Sequence, residues 1–413
     1  MTEPLEADAT TASDRTSFAE DFEAFRPRSG EGAPTVLQLL PALVSGGVER
    51  GTVDVASALV KSGWRALVVS NGGPMVHELE RVGAEHIALP VHSKNPLLWR
   101  ANFDALVDLI HREGVNLVHA RSRIPAWLGW RAAQRNGSAF VTTFHQRPAA
   151  SSALKAFYNS VMVRGDRVIA TSHYVAERLI TDYQFDTSRL RVIPRGVDLS
   201  FFDPDSVPAE RLVQLANKWR LPDGVPVVML PGRVTEWKGH ALLIDALARL
   251  DKGSFHCLMV GEDKAKPRLK ARLEARIASA ELSPYVHIVG RIDDLPAAYK
   301  LADVVVSASV EPEPFGRVMI EAQAMGRPIV AADHGGARES VIEGVTGWLV
   351  TPNDAAALAD GIQAALALDT DARAQLADIA IAHVWENFSS WQMCARTMAV
   401  YREALEARDT ATA

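Results

Sequence analysis

Residues 307–336 read SASVEPEPFGRVMIEAQAMGRPIVAADHGG, and their pattern decides the fold. The opening is a short apolar run, the length of a buried strand. EPEPFG then breaks it with two prolines and a glycine, the punctuation of a turn. From about Gly316 to Met325 the apolar residues recur at helical spacing, and PIVAAD (328–333) is apolar again. Strand, turn, helix and strand in succession form the unit of an open parallel sheet.

Outward from this stretch the alternation repeats. VPVVMLPG (225–232), FHCLMVG (255–261), VHIVG (286–290), ADVVVSAS (302–309) and GWLVTP (347–352) read as further strands. Before them, TVLQLL (35–40), RALVVS (65–70), NLVHA (116–120), AFVTTF (139–144) and DRVIATS (166–172) follow the same rule, separated by helical segments such as NFDALVDLIHREG (102–114). These runs do not alternate apolar and polar, as expected of parallel strands covered on both faces. Around 192–208, VIPRGVDLSFFDPDSVP interrupts the pattern with three prolines and three aspartates, the composition of a hinge. The expected fold is α/β, with two Rossmann-like, doubly wound parallel-sheet domains facing a cleft. The domains are read as 34–195 and 209–384, with a hinge at 196–208. A terminal segment, 385–413, carries Trp385, Trp391 and Tyr401 and is expected to dock on the body.

At 413 residues the chain is long enough for two such cores. The first 33 residues carry eight acidic and three basic side chains and read as a disordered tail. The whole chain is at −6, so the rest is near neutral and offers no reason to expect nucleic acid as a partner. No apolar run reaches the roughly 18–20 residues that span a bilayer, and no signal peptide is apparent. A cytoplasmic protein is expected. Two distant cysteines, Cys257 and Cys394, exclude a disulfide framework or a cysteine zinc site, and no metal or other cofactor is implied.

In an open α/β sheet the ligand lies beyond the carboxyl ends of the strands. A glycine-led helix start at Gly316 presents N–H groups suited to a phosphate. Glu313 in the turn and Glu321 in the helix are acceptors suited to hydroxyl-rich ligands such as a sugar and a ribose. Two solvated glutamates are the plain alternative. LPGRVTEWKGH (230–240) sets Arg233 and Lys238 at another strand end, where two cations would neutralise a diphosphate. They also read as surface cations. Gly46 and Gly47 occupy the phosphate-turn position after the first strand, though their spacing is not G-x-G-x-x-G and they also suit a simple tight turn. His145 and His119 stand at strand ends, where a histidine is as often structural as functional, and Ser172 reads as a helix N-cap.

Together these clusters resemble the family-4 retaining glycosyltransferases of the two-Rossmann (GT-B) architecture, over nearly everything from Pro34 to the last helix. The resemblance is carried by EPFGRVMIE (E-x7-E), AQAMGRP, GRVTEWKG and GGVE, each in order at a strand end. It implies that Glu313 holds hydroxyls of the donor sugar and that the backbone at Phe315 and Gly316 approaches the sugar and diphosphate. Glu321 would hold the ribose, and Arg233 and Lys238 the diphosphate. Gly46 and Gly47 would face the diphosphate, His145 the bond being transferred, and the segments at Gly261 and Arg291 the base; Arg317 is counted with this donor set. The terminal helix would cross back to the first domain.

The implied partners are a UDP- or GDP-linked sugar and a glycan or lipid-linked acceptor, as in lipopolysaccharide or exopolysaccharide synthesis. Relatives often read I-P-N-G-V-D where this chain has IPRGVD with Arg195. Arg121 and Arg123 in HARSRIP are read as cations for an anionic acceptor. Segments 124–136 and 151–164 mix aromatic and basic residues. They suit a peripheral contact with the inner membrane surface, although a core helix with solvated cations is the weightier reading. A nucleotide-sugar 2-epimerase of the same shape and a non-catalytic nucleotide-sugar-binding protein are the rival functions.

Overall fold

The computed structural model describes residues 20–27, 32–44, 46–145, 153–261 and 267–412. It contains two sheets. The first has strands β1 (Thr35–Leu39), β2 (Arg65–Ser70), β3 (Glu85–Ala88), β4 (Leu117–Ala120), β5 (Ala139–Phe144), β6 (Arg167–Ala170) and β7 (Leu190–Val192). Their order is β3-β2-β1-β4-β5-β6-β7. The second has β8 (Val227–Pro231), β9 (His256–Val260), β10 (Val286–Gly290), β11 (Val304–Ser307), β12 (Ile329–Ala332) and β13 (Gly347–Val350), in the order β10-β9-β8-β11-β12-β13. The pairings β1–β2, β1–β4, β8–β9 and β8–β11 are parallel. The two-sheet, Rossmann-like α/β reading of the sequence therefore holds.

Sequence order reverses between β1 and β4, and again between β8 and β11. At such a switch point the loops leaving neighbouring strands diverge and open a crevice at the carboxyl ends. In the second sheet those loops follow β8 and β11, and they carry Lys238 and Glu313. The sheet beneath them is dry: β8 and β11 are buried along their whole length.

Contacts divide the chain into two compact units, 1–143 with 160–168 and 394–413, and 144–159 with 169–393. Residues 169–208, read from the sequence as the end of one domain and a hinge, thus group with the second unit. The terminal helix Ser390–Thr412 contributes residues 394–413 to the first. There Tyr401 is fully buried and its hydroxyl lies 2.6 Å from Nδ1 of His119, whose Nε2 is 2.7 Å from Thr143 Oγ1. Burial, with the Arg121 charge adding to it, pushes the His119 ring well below its ordinary pKa. It is a neutral, satisfied core histidine.

Part of the span read as an acidic tail is ordered. Phe22 is buried, Trp64 Nε1 donates to the Phe25 carbonyl at 2.7 Å, and the Arg402 guanidinium stacks 4.7 Å over the Phe25 ring. Two phenylalanines gave this stretch apolar area to bury, which charge composition alone obscured. Residues 1–19 and 28–31 of that tail lie outside the described residues. Among the described residues no helix is long and apolar enough to cross a membrane.

Candidate active site

The loop after β8 turns through a short 3₁₀ segment, Glu236–Lys238, and ends at Gly239 with φ +74°. A β-carbon on Gly239 would stand 1.7 Å from the carbonyl oxygen of Ala308, just past β11. Val310 N also donates to the Trp237 carbonyl at 2.8 Å. These close backbone approaches fix the loops after β8 and β11 to each other. As a result Lys238 Nζ lies 2.7 Å from Glu313 Oε1, although 75 residues separate them in sequence. The Lys238 ammonium also sits 4.6 Å over the Trp237 ring.

Ser309 Oγ donates to the same Glu313 oxygen, and Ser307 Oγ reaches it at 3.4 Å. His334 Nε2 is 2.9 Å from the Ser309 carbonyl, bracing the turn from its far side. With side chains only 15% and 8% exposed, the Lys238–Glu313 pair is largely withdrawn from water. Removing one partner of such a pair costs about 3–5 kcal/mol, because the other is left as an uncompensated charge.

Gly316, at φ +84°, caps the helix Arg317–Ala324. The left-handed backbone there suits glycine, and it leads into the first turn of the helix, whose N–H groups carry the positive end of its dipole. Glu321 lies one turn further on. Its Oε1 is 2.9 Å from Arg317 Nη2, and its Oε2 accepts from the Tyr299 hydroxyl at 2.8 Å. Phe315 is 3% exposed and packs 5.7 Å from Phe388, so its side chain belongs to the core and only its backbone faces the turn.

Ser172 is an N-cap, accepting from Val175 N at 3.0 Å, and its hydroxyl also donates to the Pro314 carbonyl. Glu339 accepts from His173 N and Tyr174 N at 2.7 and 2.8 Å. The EPEPFG turn is thus tied to the start of helix His173–Tyr183, a link the sequence reading missed.

The other expected site residues differ in their surroundings. Arg233 is exposed at the end of β8. Arg291 is exposed and lies 3.6 Å from Asp293. Gly47 begins helix Gly47–Lys61, with Gly46 at φ 143° as its cap. His145 is half-buried just past β5, and Arg123 is half-buried at the start of helix Arg123–Asn136.

Two expectations change. Arg121 is not an available cation: it is 5% exposed, and its Nε and Nη2 both donate to Gln38 Oε1, at 3.1 and 2.7 Å. Its burial holds the guanidinium pKa below the usual value. At Gly261 a β-carbon would lie 1.7 Å from the Gly232 carbonyl. Backbone packing of β8 on β9 therefore accounts for that glycine. Glu262, beside it, lies outside the described residues.

Helix Arg123–Asn136 is a core helix: Trp127 is buried, and the Arg164 guanidinium stacks 4.4 Å over Trp130. On helix Ala153–Asn159, by contrast, Leu154 and Phe157 are exposed. Among the described residues no cluster of three or more histidine, cysteine or acidic side chains is placed to hold a metal ion.

His240, next to Lys238, is almost completely buried. Burial foremost lowers its pKa to about 4, with the Thr235 backbone opposing and the Lys238 charge adding to the drop. An unfolded histidine titrates near 6.5, so the unfolded chain binds this proton first as pH falls. The stabilisation is complete above about pH 6.5 and is lost progressively down to about pH 4, by up to about 3 kcal/mol. Urea unfolding of His240→Leu should show a shallower loss of stability than wild type across that window. An unchanged slope would refute the assignment.

Comparison with known proteins bears on the family and the fold. The model of glycosyl transferases group 1 matches residues 214–383, and that of glycosyltransferase family 4 matches residues 45–201. A D-inositol 3-phosphate glycosyltransferase of Xylanimonas cellulosilytica is 32% identical over 71% of this chain and 73% of its own length. Among solved structures, a glycosyltransferase from Rickettsia africae superposes with a TM-score of 0.85 at 38% identity, covering 91% of this chain and all of that one. Anabaena HepE in complex with UDP superposes at 0.76 with 25% identity, covering 91% and 100%. The chain belongs to the group 1, family 4 glycosyltransferases of the GT-B fold.

Proposed function

We propose that the protein is a retaining hexosyltransferase that takes its sugar from a nucleoside diphosphate donor. One observation carries the reading: Lys238 and Glu313 meet 2.7 Å apart beside the N-terminus of Arg317–Ala324. A diphosphate entering there takes Lys238 from Glu313, and Glu313 then accepts from hydroxyls of the sugar. Cleavage of the sugar–phosphate bond builds positive charge at the anomeric carbon and negative charge on the departing diphosphate. Lys238, Arg233 and the helix N-terminus oppose the latter, so electrostatic stabilisation is the main contribution.

Glu321 is engaged by Tyr299 and Arg317 and is read as the ribose-holding group, which leaves no carboxylate as a glycosidase-style nucleophile. The acceptor oxygen attacks the face the diphosphate leaves. Its C–O bond forms as the C1–O bond to phosphate breaks, and a diphosphate oxygen takes the acceptor proton. His145 is assigned to the vicinity of that bond. UDP as the donor nucleotide is supported by the HepE complex.

The similarity to D-inositol 3-phosphate glycosyltransferases favours a phosphorylated polyol as acceptor. The surface-glycan acceptor suggested by the sequence resemblance is the second reading, and assays with both classes separate them. Proton NMR of the product tests the stereochemistry. An anomeric configuration equal to the donor's is expected, and inversion would contradict the mechanism.

A further inference from the structure

Both oxygens of Glu321 are engaged within the protein, by groups from two different elements. Arg317 is one turn earlier on the same helix. Tyr299 comes from helix Leu295–Leu301, which precedes β11. Its side chain is fully buried, its ring packs edge-on to Phe202 at 5.8 Å, and its hydroxyl reaches Glu321 Oε2 at 2.8 Å. Burial foremost, and then the adjacent carboxylate, hold the phenol well above its ordinary pKa, so it remains a donor. Packing alone does not require that hydroxyl. A phenylalanine would fill the same space without the cost of burying a polar group.

An ionised carboxylate has about four acceptor sites, two on each oxygen. Arg317 takes one on Oε1 and Tyr299 takes one on Oε2, leaving one on each. With the group held from both sides, its plane is fixed and the two remaining sites stand as a pair. A vicinal diol offers two donors at matching separation.

We propose that Tyr299 is a positioning residue that orients the Glu321 carboxylate to accept both the 2′ and 3′ hydroxyls of the donor ribose, making the site selective for ribonucleotides. The inference rests on the reading of Glu321 as the ribose-holding group. It adds how that carboxylate is oriented and what selectivity follows. A site built to hydrogen-bond a hydroxyl rejects the analogue lacking it, because its own polar groups are then left unpaired.

The test is calorimetric titration of wild type, Tyr299→Phe and Glu321→Ala with UDP and with 2′,3′-dideoxy-UDP. Where wild type binds GDP or ADP more tightly, that pair replaces the uridine pair. Wild type should bind the ribonucleotide about tenfold to a hundredfold more tightly than its dideoxy analogue, the range of one to two charge-assisted hydrogen bonds. Tyr299→Phe should lose about five- to tenfold in ribonucleotide affinity, with affinity for the dideoxy analogue unchanged.

Equal losses for both ligands would make Tyr299 merely structural and overturn the proposal, as would no loss at all. Glu321→Ala reports on the underlying reading separately. If it keeps the full discrimination, Glu321 does not hold the ribose and both ideas fall. If it abolishes discrimination while Tyr299→Phe preserves it, only the role of Tyr299 fails.

Discussion

Glu313→Ala is expected to lower sugar transfer by at least about a hundredfold while leaving nucleoside diphosphate affinity within about threefold of wild type, or tighter. The asymmetry follows from what Glu313 touches. Its Oε1 is shared by Lys238 and Ser309, so on the proposed roles the cation meant for the diphosphate rests in an internal ion pair. Removing the carboxylate abolishes the contact to the donor sugar. It also releases Lys238 for the diphosphate, and affinity for the nucleotide alone therefore does not suffer. The checks are steady-state transfer and calorimetric titration of UDP on the same preparation. Parallel losses in both would show that Glu313 serves nucleotide binding rather than the sugar. Because the pair is largely buried, thermal unfolding of the variant should accompany them, so that lost folding is not taken for lost chemistry.

A large structural effect is also expected at Gly239. Gly239→Ala should destabilise the protein by about 3 kcal/mol or more and abolish transfer. A left-handed backbone costs an L-residue about 1–2 kcal/mol. Here the new methyl would also stand 1.7 Å from the Ala308 carbonyl oxygen, a backbone atom that has no side-chain rotamer to yield. Relief requires the two loops to separate, which draws Lys238 away from Glu313.

Gly224 provides the control. It has the same φ of +74°, but nothing lies within 4 Å of its would-be β-carbon. Gly224→Ala should cost only the conformational penalty, about 1–2 kcal/mol. Urea midpoints for the two variants measure the difference. Similar midpoints would mean that the loops after β8 and β11 yield easily and that their close approach does not fix the site.

The contrast between these glycines shows what the sequence could express and what it could not. The strands of the second sheet were legible because each is a dense apolar run bounded by turn residues, and so were the central strands of the first. β3 (EHIA) and β7 (LRV) lie at the two edges of that sheet, where a strand is short and only partly buried. They carry no apolar run to read. The positions of Glu313 and Lys238 in turns after strands, and of Glu321 in the helix that follows, were legible from turn chemistry, whereas the roles proposed for them came from the family resemblance.

Tyr299 and Ser309 were not. A tyrosine in an amphipathic helix and a serine at a strand end look like ordinary core and turn residues until another element brings their partner. Arg121 failed in the opposite sense. Two arginines in a loop look like free cations, and nothing local reveals that Gln38, on β1, accepts from one of them. Gly261 was similarly read toward a ligand when a neighbouring strand's backbone already required it.

The central claim is that this protein binds and uses a nucleotide sugar. It is tested most directly by a panel of UDP-, GDP- and ADP-sugars, scored by thermal shift and by slow donor hydrolysis. A ligand present at a hundred times its dissociation constant stabilises the folded state by about 2.7 kcal/mol. For units of this size that is a rise in Tm of about 5–10 °C. At least one donor should produce that rise and release its nucleoside diphosphate. If no nucleotide sugar shifts the unfolding transition or is hydrolysed, the account is contradicted at its base.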